Sequence, residues 1–194
     1  MAVRPCGDPG RRLTKGPSVD EPEPAVIRAA IAGDVDAFER LVRQFQPPVW
    51  RFLRHLLDDA ALAEDVTQET FLRLYRHLPG FGFRCKFSTW VFRVARNAGI
   101  DALRSRERHD RLARDAPVPT PAPAPETRAE VRAAMASLSP KLREALLVIE
   151  VLGLSYREAG QVLGVPLGTV KSRVFQARER LAAWHAEGGR AGEL

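Results

Sequence analysis

The 194-residue chain is 45% apolar, enough for one core or two small ones, and carries a formal net charge of +6, which favours an anionic partner. No apolar run is long enough to span a membrane and the N-terminus lacks the apolar stretch of a secretory signal, so no membrane insertion and a cytoplasmic location are expected. Two cysteines, Cys6 and Cys85, exclude a disulfide framework, and four scattered histidines show no metal-ligand spacing; neither a metal nor a cofactor is expected.

In chain order, residues 1–20 mix proline, glycine and both charges without periodicity and are expected to be a disordered extension. The first helical signal is GDVDAFERLVRQF, where Asp34 can cap a helix with Phe38, Leu41, Val42 and Phe45 on one face. Pro47 and Pro48 are expected to interrupt or kink it before VWRFLRHLL resumes. AEDVTQETFLRLYRHL follows, with Phe71, Leu74, Tyr75 and Leu78 facing inward. After a loop, PGFGFRCKF, the stretch STWVFRVARNAGIDALRSRER reads as a helix capped by Ser88, with Val91, Val94, Ala95, Ala98 and Ala102 on its buried side.

The five prolines of residues 115–127 remove backbone donors and mark a linker, expected to reach at most roughly 45 Å. Beyond it, Ser139-Pro140 signals a helix start. Ser155 and Glu158 form a capping box for a short helix ending at Gly164, with Tyr156, Gly160 and Leu163 inward and Gly160 small enough for a close approach. Gly164, Val165 and Pro166 turn the chain into a last helix buried along Val170, Val174, Ala177 and Leu181. No segment alternates like a strand, so the expected fold is all-α: two small helical domains joined by a Pro/Ala-rich linker, the second containing a helix-turn-helix. The expected boundaries are 1–20 extension, 21–111 first domain, 112–127 linker, 128–187 second domain and 188–194 disordered tail.

Three surfaces point outward. Opposite the last helix's buried stripe lie Gly168, Ser172, Phe175, Gln176 and Glu179, flanked by Lys171, Arg173 and Arg178; such a face supplies phosphate contacts, base hydrogen bonds and an exposed aromatic for a major groove. On the Ser88 helix, Arg93, Arg96, Ile100 and Arg104 face away from the core, with Asn97 and Trp90 at the edge; the preceding loop interleaves Phe81, Phe83 and Phe87 with Arg84 and Lys86, suiting unpaired bases. Residues 58–69 hold five acids and no base, and Asp65, Gln68 and Glu69 share one helix face that phosphates would repel. A solvated face is the usual explanation for such a run, and a basic protein partner is the sharper one.

The segments GDVDAFERLVRQF, AEDVTQETFLRLY, FSTWVFRVARNAGIDALR and LSYREAGQVLGVPLGTVKSRVFQARERL resemble, in this order, those of bacterial sigma factors of the extracytoplasmic-function (ECF) group. The resemblance implies a promoter-specificity subunit without catalytic activity, whose partners are core RNA polymerase, promoter DNA and an anti-sigma factor. It implies that Asp65, Gln68, Glu69 and Arg73 bind core polymerase in a region 2 domain. Lys86, Phe87, Ser88, Trp90, Arg93, Arg96, Asn97, Ile100 and Arg104 would then bind the −10 element and a flipped base. Arg157, Thr169, Lys171, Ser172, Arg173, Phe175, Gln176 and Arg178 would bind the −35 element from a region 4 domain. Thr67 and Thr70 depart from the more usual apolar residues of the polymerase-docking segment. Two other readings compete: a free DNA-binding regulator using only the C-terminal module, and an enzyme built on the scattered histidines and carboxylates.

Overall fold

The computed structural model describes residues 19–112 and 126–188, the side chains at 110–112 and 126–128 excepted. Most of the expected extension and linker, and the tail from residue 189, lie outside the described residues. Eight α-helices and no strand occur among those described. They are α1 (Pro24–Ile31), α2 (Val35–Leu57), α3 (Ala60–His77), α4 (Phe87–Leu112), α5 (Glu126–Ala136), α6 (Pro140–Glu150), α7 (Tyr156–Leu163) and α8 (Leu167–Ala186), with a single 3-10 turn at Leu78–Gly80. Helices α1 and α5 were not anticipated from the pattern; both are short and one begins at a proline, Pro24.

The helix starts follow local chemistry. Asp34 caps α2 by accepting from Ala37 N–H at 3.0 Å, and Asp59 caps α3 by accepting from Leu62 N–H at 3.1 Å. Contrary to expectation, α2 is one helix through Pro47 and Pro48. The two prolines leave carbonyls a turn earlier without helical partners, but Phe45, Val49, Phe52 and Leu53 on either side are fully buried, and that packing holds the helix together. Helix α4 crosses α2 closely because Gly99 has no side chain: a Cβ there would lie 2.8 Å from Leu56 Cδ2 and 2.9 Å from Leu53 Cδ2.

Thr67 and Thr70 are buried in α3, and each hydroxyl donates to the carbonyl four residues back, Ala63 at 2.6 Å and Val66 at 2.7 Å, so these polar departures are satisfied inside the core. Tyr75, expected inward, is exposed and lies edge-on against Phe38, 5.1 Å between ring centres. Ser88 is not the cap of α4: the helix begins at Phe87, which puts Ser88 inside the first turn with its side chain buried. Helix α7 buries Ala159, Val162 and Leu163, while Tyr156 and Gly160 are only half-buried; it packs against α4 as well as against α6 and α8. The two modules therefore share a surface, α4 against α7 and α2 against α6, and one continuous apolar cluster runs through both.

Candidate nucleic-acid and protein interfaces

The helix-turn-helix is assembled from local signals. Ser155 and Glu158 make the reciprocal capping box of α7, which ends at Gly164 in the left-handed conformation, φ +67. Gly160 lets the turn fold back: its Cβ would sit 2.9 Å from the Val165 carbonyl oxygen, so it is the turn's backbone, not a neighbouring helix, that approaches it. Val170, Val174 and Ala177 fix the rotation of α8 in the core. Lys171, Ser172, Phe175 and Gln176 consequently face outward, and Phe175 is 62% exposed. Gln176 Nε2 lies 3.3 Å from Ser172 Oγ, holding the two polar side chains one turn apart. Thr169 and Arg173 are half-buried and Arg157 is exposed on α7. Arg178 is engaged by Glu150 at 2.6 Å.

The α4 surface differs. Arg93, Asn97 and Arg104 are exposed and Ile100 is half-buried. Arg96, however, forms a two-point ion pair with Glu144 of α6, Nε to Oε1 at 2.7 Å and Nη2 to Oε2 at 3.0 Å, and Glu144 is only 5% exposed. Lys86 Nζ pairs with Glu158 Oε1 at 2.7 Å. That hydrogen bond raises the Lys86 pKa above the usual lysine range. Burial pushes the Glu158 carboxyl up, but hydrogen bonds from Lys86 and Ser155 outweigh it and hold the group below its ordinary value. Two cations expected to meet DNA are thus turned toward carboxylates of the second module.

In the loop before α4, Phe81 packs against Phe83, Phe87 and Trp90 with centroid separations of 5.0, 5.4 and 5.1 Å. Phe87 is buried beneath this cluster and against Phe45, and Ser88 is buried and bonded to Glu21, so neither side chain is presented outward as the resemblance implied. Trp90 is half-buried. The exposed aromatic of the loop is Phe83, at its tip in a left-handed conformation, φ +54.

On α3, Glu64, Asp65 and Gln68 are exposed. Glu69 is half-buried and holds Arg73 at 2.8 Å, and Arg73 continues to Asp101 of α4 at 3.0 Å; these two hydrogen bonds raise the Arg73 pKa and make the residue a brace between helices. Pattern reasoning missed Leu72, which is 53% exposed and follows Asp65 by two turns on the same face. Its helical spacing from Asp65 and Gln68 was the signal that could have found it. The outer face of α3 is acidic with an apolar centre.

Comparison with known proteins places these surfaces in a family. Residues 41–109 match the model of Sigma-70 region 2, and residues 128–181 match that of Sigma-70, region 4. The chain is 39% identical over 177 residues to the ECF RNA polymerase sigma factor SigC of Mycobacterium tuberculosis, covering 88% of this chain and 95% of that protein. It is 35% identical over 181 residues to the ECF RNA polymerase sigma factor SigE of Mycolicibacterium smegmatis, covering 87% of this chain and 70% of that one. Among solved structures, CnrH in complex with the cytosolic domain of CnrY aligns with a TM-score of 0.69 at 26% identity, over 84% of this chain and 96% of that chain. The sigma factor RpoE in complex with the anti-sigma factor NepR from Bartonella quintana aligns with a TM-score of 0.67 at 28% identity, over 76% and 95%. With both regions in order on helices that present their polar faces outward, the chain belongs to the ECF sigma factors of the sigma-70 family, which direct RNA polymerase to promoters.

Proposed function

We propose that the three surfaces divide the work of promoter recognition. The outward face of α8, with Lys171, Ser172, Phe175 and Gln176 toward the bases and Arg157, Arg173 and Arg178 toward phosphates, reads the −35 element. Arg93, Asn97 and Arg104 of α4, joined by Arg96 and Lys86 once these leave Glu144 and Glu158, hold the −10 element, while Phe83 and Trp90 receive an unpaired base. Asp65, Gln68 and Leu72 dock on core RNA polymerase, and Glu69 with Arg73 stiffens that face. The protein acts in the cytoplasm through binding energy alone: unstacked bases are trapped on aromatic side chains, each contributing roughly 1–3 kcal/mol, without nucleotide hydrolysis. An anti-sigma factor is a further partner, supported by the complex of the structural relative RpoE with the anti-sigma factor NepR.

The observation that carries this reading is the α7–turn–α8 unit, whose capping box and glycine turn leave an aromatic and a polar-basic stripe uncovered. The test is transcription in vitro with core polymerase, with and without the full chain, mapping start sites on a genomic template pool. New start sites are expected. The double substitution Asp65→Arg with Glu69→Arg is expected to lower polymerase affinity at least about tenfold through charge reversal at the interface, with duplex DNA binding by α8 retained. Unchanged polymerase binding would favour a free DNA-binding regulator instead.

A further inference from the structure

Residues 19–23, which lead into α1, do something that the recognition surfaces alone do not explain. The first backbone N–H groups of any helix lack partners within it. Helix α4 meets this need unusually, because the residue at its cap position is Lys86, whose side chain cannot accept a hydrogen bond, and Ser88 lies two positions too late to cap it. The acceptor comes from Glu21, 66 positions earlier in the chain. One carboxylate oxygen accepts from the Phe87 N–H; the other accepts from the Ser88 hydroxyl at 2.6 Å and the Ser88 N–H at 3.3 Å.

Neighbouring contacts fix the segment that carries Glu21. The Asp20 carbonyl accepts from Gln44 Nε2 of α2 at 2.7 Å, Val19 packs on the core, and Pro22 is buried. From α1, the Arg28 guanidinium lies 5.5 Å from the centre of the Phe83 ring. The aromatic loop is therefore held at both ends by the same N-terminal strap: at its tip through Arg28 and Phe83, and at its junction with α4 through Glu21, Phe87 and Ser88. Between these anchors the described residues 82–86 make little regular structure of their own, and Phe83 adopts a left-handed backbone without being glycine.

We infer that Glu21, assisted by Arg28, is a positioning residue for base capture: it sets the geometry of the Phe81–Trp90 loop from outside the recognition surface. This rests on the reading of that loop as the base-binding surface. A site that discriminates bases by stacking and hydrogen bonding loses selectivity when its walls shift by fractions of an ångström, so the strap governs which base is accepted more than whether the fold survives. Glu21 itself is exposed and fills no cavity, so its removal leaves the apolar core untouched.

The experiment uses holoenzyme reconstituted from core RNA polymerase and the full chain, transcribing a template pool randomised across the −10 segment, with base preference at each position read from transcripts. Glu21→Ala is expected to flatten the preference at the captured position about tenfold, the scale of a lost helix cap, while core affinity and duplex binding by α8 stay as in the parent. Glu21→Gln, which keeps one acceptor, is expected to restore part of the selectivity, and Arg28→Ala to reproduce a weaker version of the loss. Should Glu21→Ala prove poorly folded, Ser88→Ala deletes only the side-chain hydrogen bond and is expected to shift the same preference. If every variant that folds retains the parental base preference, or loses output only in proportion to melting temperature, Glu21 is a structural brace and the inference is overturned. If the parent holoenzyme itself selects no −10 bases, the sigma-factor reading of the loop fails with it, a result distinguishable from the first.

Discussion

Helices α4 and α8 carry comparable cationic faces but stand in opposite situations. The outward face of α8 is open, with Phe175 and Lys171 exposed, while Arg178 at its shoulder is paired with Glu150. The matching face of α4 is partly roofed by the second module, with Arg96 clasped by Glu144 and Lys86 by Glu158. On the proposed division of surfaces, the carboxylates occupy donors on α4 that phosphate oxygens would otherwise use, so DNA contacts by Arg96 and Lys86 would begin from a competed state, as would those of Arg178 on α8. Exposure, more than residue type, separates the two surfaces.

The largest effect is expected at the α7–α8 turn. Gly160→Ala places a Cβ against the Val165 carbonyl, a backbone atom that cannot rotate away, and is expected to destabilise the C-terminal module by about 2–3 kcal/mol and weaken −35 duplex binding. The same change at Gly99 meets only the tips of Leu53 and Leu56 and is expected to cost about half as much. Denaturant unfolding followed by α8 DNA titration measures both.

Relieving the competition on α4 sharpens the contrast from the other side. Glu144→Ala frees the Arg96 guanidinium, and affinity of the full chain for single-stranded −10 DNA is expected to rise about tenfold, the worth of a charge-assisted hydrogen bond pair, with −35 duplex affinity unchanged. Fluorescence anisotropy with the two probes separates these outcomes. A fall in −10 affinity would mean that Glu144 orients Arg96 for DNA rather than withholding it.

The smallest expected effect concerns Lys86. Glu158 is depressed below its ordinary value, so the stability it contributes is present above the unfolded carboxyl pKa and is lost as pH falls through the still lower folded value. The melting-temperature difference between the parent and Glu158→Gln, which keeps a capping side chain, should be constant from neutral pH down to the ordinary glutamate range and shrink below it. Because Lys86 is largely solvent-exposed, the stability difference behind that shift is expected to stay within about 1 kcal/mol.

Residue pattern alone determined much of this protein. Helices α3, α4, α7 and α8, the capping box at Ser155, the caps at Asp34 and Gly164, the exposure of Phe175 and the separation of acidic from basic surfaces all follow from spacing and side-chain chemistry within a few turns of chain. Such features are local: a helix period or a cap depends on residues three or four apart. What tertiary structure decided involves partners distant in sequence. Tyr75 lies outside because Phe38 receives it there, Phe87 and Ser88 turn inward because the aromatic cluster and Glu21 hold them, and Arg96 and Lys86 are occupied because α6 and α7 bring carboxylates to them. Periodicity tells which face of a helix is buried, but not which neighbour covers the rest, since that depends on how whole helices pack once the chain has closed on itself.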